Sequence, residues 1–165
     1  MIFSLQILQS YQKIFTTLQQ KNLVITTAES CTGGLLSALF TELDGSSKIF
    51  DRGFVVYSNN SKISMLNVDA RLLESHGAVS QEVCLAMAYG ALKNSLANIA
   101  IAITGIAGPQ GGTLEKPVGT VFVSVVSNKN YICEKFSFGN LRELNRQKSV
   151  EASLNLLNIF LKNKI

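Results

Sequence analysis

The segment Ile99-Ala100-Ile101-Ala102-Ile103-Thr104 constrains the fold more than any other part of the chain. It carries no charge, is rich in β-branched isoleucine and ends at Gly105. A short run that is apolar throughout reads as a strand buried on both faces. Such a strand belongs at the centre of a sheet covered by helices on each side. The neighbouring segments supply both kinds of element. Leu23-Val24-Ile25-Thr26-Thr27 and Phe54-Val55-Val56-Tyr57 read as further strands. Residues 120–126 and 131–138 read as two more, joined by the Asn128-Lys129-Asn130 turn and hence antiparallel. Helical spacing places Leu5, Leu8, Tyr11, Phe15 and Leu18 on one face of a helix over 4–20. Further helices are expected at 35–43, after Ser58-Asn59-Asn60, from Asp69 to Gly77, over 81–96 behind the cap Ser80, and over 141–161. Alternating strands and helices that end in a hairpin predict an α/β fold with a mixed sheet sandwiched by helices. With no repeat or linker, residues 1–165 read as one domain.

Composition narrows the function classes. Apolar residues make up 47% of the chain and charged residues 16%, which argues against disorder. The start, Met1-Ile2-Phe3-Ser4, lacks the basic region of a secretion signal, and the apolar runs are too short to span a bilayer. A cytoplasmic protein without membrane attachment is expected. The net charge of +4 is spread along the chain rather than gathered in a stripe, so no nucleic-acid partner is expected. It suits a small anionic substrate. Cys31, Cys84 and Cys133 are odd in number and widely spaced, which disfavours a disulfide framework. His76 is the only histidine, so neither a structural zinc site nor any other metal site is expected.

Three segments, 29–34, 57–62 and 104–112, put small, polar or glycine residues at strand ends, where ligands bind in open α/β sheets. In Glu29-Ser30-Cys31-Thr32-Gly33-Gly34 a serine lies between a strand and a helix start. It can be a nucleophile held on a turn, with backbone N–H groups near Thr32 to Gly34 for an oxyanion. Ser30 or Thr32 can equally be a helix cap, the commoner case for the local pattern alone. A serine nucleophile needs a base. His76 sits at a helix end before Gly77 and reads as structural. Lys62, just after a strand end, is the candidate base if burial lowers its pKa, and a solvated surface lysine otherwise. Cys31 is a rival nucleophile or a packing residue. Tyr57 can stack on an aromatic ring or close a core strand. Gly105, Gly108, Gly111 and Gly112 form a loop that matches no phosphate-binding fingerprint.

Longer blocks resemble a known family. Thr26 to Gly34, Arg52 to Asn59 with Lys62, His76-Gly77-Ala78-Val79-Ser80, and Thr104 to Pro109 followed by Gly111-Gly112 and Lys116 to Val121 are similar, in order, to the CinA C-terminal domain family. The resemblance implies a three-layer α/β/α sandwich whose mixed, mostly parallel sheet ends in an antiparallel hairpin. It implies an amidase that converts nicotinamide mononucleotide to nicotinate mononucleotide and ammonia in pyridine-nucleotide salvage. It implies no metal or organic cofactor, and at least a homodimer. The likeness is to the family's single-domain form. On this resemblance Ser30 is the nucleophile and Lys62 the base. Tyr57, Thr104 and Gly105 are expected to line the pocket, with Cys31, Thr32, Gly33, Gly34 and Arg146 as further substrate-binding candidates. Lys48 and the loop glycines are other candidates for phosphate.

The carboxyl-terminal end departs from the family pattern. The family has Gly-Asp-Arg after the last strand and a second arginine four residues on. Here, on a straight alignment, Asn140 stands for the acid, while Leu141 and Asn145 stand for the arginines. Arg142 and Arg146 lie one position beyond. The departure raises a second reading, a nucleotide-binding module with impaired catalysis. A scaffolding role has less support, since the sequence offers no exposed amphipathic helix or charged tail.

Overall fold

The central strand sorts its side chains by size. In the computed structural model, which describes residues 3–164, β3 (Ile99–Gly105) turns Ile99, Ile101 and Ile103 into one core and Ala100 and Ala102 into another. Successive strand side chains point to opposite faces, so one alternating sequence builds two cores. The isoleucine face packs against α1 (Leu5–Gln20), α2 (Leu35–Leu39) and α6 (Arg142–Asn163). The alanine face receives α3 (Asn59–Leu66), α4 (Ala70–His76) and α5 (Gln81–Lys93). Among the described residues no helix is long and apolar enough to cross a membrane. Met1 and Ile2, the first two residues of the expected non-signal amino terminus, lie outside the described residues.

The remaining strands are β1 (Ile25–Glu29), β2 (Phe50–Val55), β4 (Thr120–Val126) and β5 (Tyr131–Ser137). Their order is β2-β1-β3-β4-β5. β1 pairs in parallel with both β2 and β3, and β4 pairs antiparallel with both β3 and β5. β4 alone runs against the rest, so the sheet is mixed, mostly parallel, and ends in a hairpin, as expected.

Two strands are displaced from their expected bounds. β1 extends to Glu29, whose buried carboxylate is held by hydrogen bonds and does not end the strand. β2 is an edge strand that begins at Phe50, because Asp51, Arg52 and Gly53 sit where water or other side chains accept them. A Cβ on Gly53 would collide with Ser37 Oγ. The expected helix over 35–43 ends at Leu39, after which Thr41 and Glu42 make tighter i−3 bonds to Ala38 and Leu39.

Two packing features set the helices that follow the parallel strands. The chain leaves β1 for α2 on one face and leaves the adjacent β2 for α3 on the other. Diverging connections open a crevice at the carboxyl ends of neighbouring strands. On the alanine face, a Cβ on Gly90 would collide with the Leu66 carbonyl oxygen. Glycine therefore lets the last turn of α3 seat directly on α5.

Candidate active site

Ser30 follows β1 directly and is almost buried, at 8% exposure. Its N–H donates to the Ile103 carbonyl at 3.0 Å, and its carbonyl accepts from Gly33 N–H at 3.1 Å. Gly33 and Gly34 take φ of +61° and +94°, which lets the chain reverse into α2 within four residues. Ser30 is thus held on a tight turn, not used as a helix cap. Gly34 occupies the cap position and has no side chain to cap with. The capping is done by Glu29, whose carboxylate accepts from the N–H groups of Gly34, Leu36 and Ser37 at 3.2, 3.0 and 2.7 Å.

Lys62 lies on the first turn of α3, which Ser58 caps by accepting from Ser61 N–H at 3.1 Å. It is only 1% exposed. Its Nζ sits 3.1 Å from Ser30 Oγ, 2.9 Å from the Val56 carbonyl and 3.3 Å from the Tyr57 carbonyl. No carboxylate among the described residues pairs with it. Burial pushes its pKa below the ordinary lysine value, with neighbouring Cys31 acting weakly the other way. The structure therefore brings together the serine and the lysine named from the sequence, and it replaces the solvated-lysine reading.

The two face a cleft of about 270 Å³ lined also by Cys31, Tyr57, Asn59, Thr104, Gly105, Gln110 and Arg142. Tyr57 is 61% exposed at the rim. Thr104 Oγ1 donates to the Ala78 carbonyl at 2.7 Å, which fixes the segment before α5 against β3. A Cβ on Gly105 would lie 2.7 Å from a Val121 methyl, so the pairing with β4 requires glycine there.

Arg142 spans the cleft mouth. It donates to the Gly108 carbonyl at 2.9 Å and to the Tyr57 hydroxyl at 3.1 Å. Arg146, one helical turn later on the same face, lies behind the serine turn and donates to the Thr32 carbonyl at 2.8 Å. The arginines thus keep the four-residue spacing of the family pattern, displaced by one position from the straight alignment. Leu141, where that alignment expects an arginine, is exposed at the helix start. Asn145 is buried and bonds the Ala107 carbonyl at 2.9 Å and the Gly139 carbonyl at 2.8 Å, tying the glycine loop to α6.

Several candidates lie elsewhere. Thr32, Gly33, Gly34 and Arg146 build the turn from behind and do not line the cleft. The N–H groups of Gly33 and Gly34 already have partners, which sets them against the oxyanion role expected of Thr32 to Gly34, and of Cys31 to Gly34 only Cys31 lines the cleft. Lys48 precedes the amino end of β2, at the opposite end of the parallel strands from the cleft. His76 is outside the cleft, with Nδ1 3.6 Å from Glu82. Burial pushes the Cys31 thiol up to about 11, which disfavours the thiolate a nucleophile needs. Among the described residues no three His, Cys, Asp or Glu side chains gather to hold a metal. Sequence reasoning missed Glu29, whose only local signal is a carboxylate five positions before Gly34. It also placed Arg146 where Arg142 stands.

An α/β domain with a buried lysine hydrogen-bonded to a serine at a strand-end crevice is the class that fold and site define. The chain belongs to the CinA C-terminal domain family, whose profile matches residues 8–161. It is 49% identical over 140 residues to a CinA-like protein of Syntrophobacter fumaroxidans, an alignment covering 85% of this chain and 33% of that protein. It is 43% identical over 150 residues to a CinA-like protein of Desulfotalea psychrophila, covering 91% and 36%. The chain spans about a third of the length of these curated relatives. Among solved structures, competence/damage inducible protein CihA of Agrobacterium tumefaciens superposes with a TM-score of 0.94 at 42% identity, over 98% of each chain.

Proposed function

We propose that this domain hydrolyses the carboxamide of nicotinamide mononucleotide to nicotinate mononucleotide and ammonia, as a cytoplasmic homo-oligomer in pyridine-nucleotide salvage. The observation that carries the reading is the contact set of the Lys62 amine. A neutral amine has two hydrogens and one lone pair. In that form the carbonyls of Val56 and Tyr57, at 2.9 and 3.3 Å, take the hydrogens and the lone pair turns to Ser30 Oγ at 3.1 Å, whereas the ammonium form would donate to all three. Burial without a carboxylate partner favours that neutral form.

The steps follow from this arrangement. Lys62 takes the Ser30 proton as Oγ bonds to the carboxamide carbon. The carbonyl oxygen becomes an oxyanion beside the Cys31 N–H. The C–N bond breaks, Lys62 returns the proton to the leaving nitrogen, and ammonia departs. Water then gives a proton to Lys62 and attacks the acyl ester, the ester C–O bond breaks, and Lys62 returns the proton to Ser30 Oγ as nicotinate mononucleotide leaves. The pyridinium charge of the substrate makes its carboxamide carbon more electrophilic and, as a like charge, further disfavours the ammonium form of Lys62. Tyr57 and Arg142 at the mouth suit an aromatic ring with an anionic tail. No metal or organic cofactor enters the scheme.

The alternative of a binding module without catalysis drew on the departure at 140–146. Its motive weakens because Arg142 and Arg146 keep the family spacing, Arg142 at the cleft mouth and Arg146 behind the serine turn. Incubation with nicotinamide mononucleotide, followed for ammonia and nicotinate mononucleotide, tests the proposal. Binding that raises the melting temperature without turnover would favour the alternative.

A further inference from the structure

Glu29 ends β1 with a fully buried carboxylate, and the amide-hydrolysis scheme gives it no part. Among the described residues no lysine, arginine or histidine pairs with it. Its charge is held by the N–H groups of Gly34, Leu36 and Ser37 and by the Ser37 hydroxyl. A buried carboxylate is costly unless such charge-assisted bonds compensate it. Glu29 thus closes the serine turn from the last strand residue to the start of α2.

The main chain of the same residue serves the lysine. The Glu29 carbonyl accepts from Val56 N–H at 2.8 Å, and the Val56 carbonyl accepts from Lys62 Nζ at 2.9 Å. One residue therefore joins the turn that carries Ser30 to the strand end that aims Lys62. In the same turn the Cys31 N–H, beside the cleft, donates to no other residue among the described ones and lies against its own thiol.

We infer that Glu29 is the positioning residue of the Ser30–Lys62 pair: its carboxylate fixes the turn so that Ser30 meets Lys62 and the Cys31 N–H stays open for the oxyanion. The inference rests on the amidase reading. Glu29→Gln puts an amide donor where backbone donors now meet an acceptor, at nearly constant volume. With circular dichroism unchanged, kcat for nicotinamide mononucleotide should fall about 30-fold or more, the scale of a misplaced oxyanion donor. The dissociation constant of nicotinate mononucleotide should change by less than about threefold, because the cleft lining is untouched. A kcat within that margin of wild type overturns the inference, as does a parallel loss of product affinity. Should the variant not fold, Ser37→Ala removes one of the four donors and keeps the carboxylate. It should lower kcat by about three- to tenfold at unchanged product affinity, and an unchanged kcat overturns the role. The rate at which a fluorophosphonate labels Ser30 is measured alongside, with Ser30→Ala as the blank. Wild type that labels but releases no ammonia refutes the substrate reading alone. In that case, slower labelling of Glu29→Gln supports the positioning role, and unslowed labelling overturns it.

Discussion

Lys62 meets the Ser30 hydroxyl at 3.1 Å from 32 positions away in the chain, and its other two contacts are main-chain carbonyls. Burial lowers its pKa, so its proposed role as the base sets in below the ordinary lysine range. Turnover should rise with pH through a midpoint under that range and then level, as a pH–rate profile will show. Stability should follow the same group. The unfolded chain holds the Lys62 proton more tightly, so folding carries a penalty below the lowered pKa. The penalty fades as pH rises from that value to the ordinary one. Lys62→Met lacks this dependence. Urea unfolding of both proteins across that window should show their difference moving toward wild type with increasing pH.

Cys31 adjoins the proposed nucleophile but is not expected to replace it. Its thiol is buried and pushed up to about 11. Cys31→Ser should therefore keep turnover within about threefold of wild type, since removing one buried sulfur leaves the N–H of that position in place. Iodoacetamide should label Cys31 slowly at neutral pH. Loss of activity in the variant together with fast labelling would transfer the nucleophile to the cysteine.

Arg142 links Gly108 to Tyr57 across the cleft mouth, whereas Arg146 supports the Thr32 carbonyl from behind. Their losses should differ in kind. Arg142→Ala should raise KM by about tenfold with a smaller change in kcat, the scale of one charge-assisted hydrogen bond. Arg146→Ala should lower kcat and thermal stability together, because the serine turn loses a half-buried support. Steady-state kinetics and melting curves separate the two.

Gly90 and Leu66 define the seat of α3 on α5. A Cβ at Gly90 would press on the Leu66 carbonyl oxygen. Gly90→Ala should destabilise the protein by about 1–3 kcal/mol, the usual cost of overpacking, despite alanine's higher helix propensity. Because Lys62 rides on α3, kcat should drop as well. Denaturant unfolding and kinetics of the same preparation check both.

The sequence made the central strand, the hairpin and the main helices legible because their apolar spacing is strong. It misplaced β2, since an edge strand can carry Asp51-Arg52-Gly53 and loses the apolar signature. It put β1 too early, because a glutamate looks like a strand end until its partners at 34–37 are known. Ser30 and Lys62 stood out only through the longer blocks of family likeness; their local patterns allowed a cap and a surface lysine. The roles of Arg142 and Asn145 were hidden because a one-position displacement at the start of α6 changes which side chain meets the cleft. Helix geometry turns a neighbour by about 100°, and no local pattern reveals that shift.

The central claim is that Ser30 is the nucleophile of an amide hydrolysis driven by Lys62. The most direct measurement is ammonia release from nicotinamide mononucleotide by wild type and by folded Ser30→Ala side by side. The account predicts steady release by wild type and none above background from the variant. Equal release from both, or none from well-folded wild type, would contradict it.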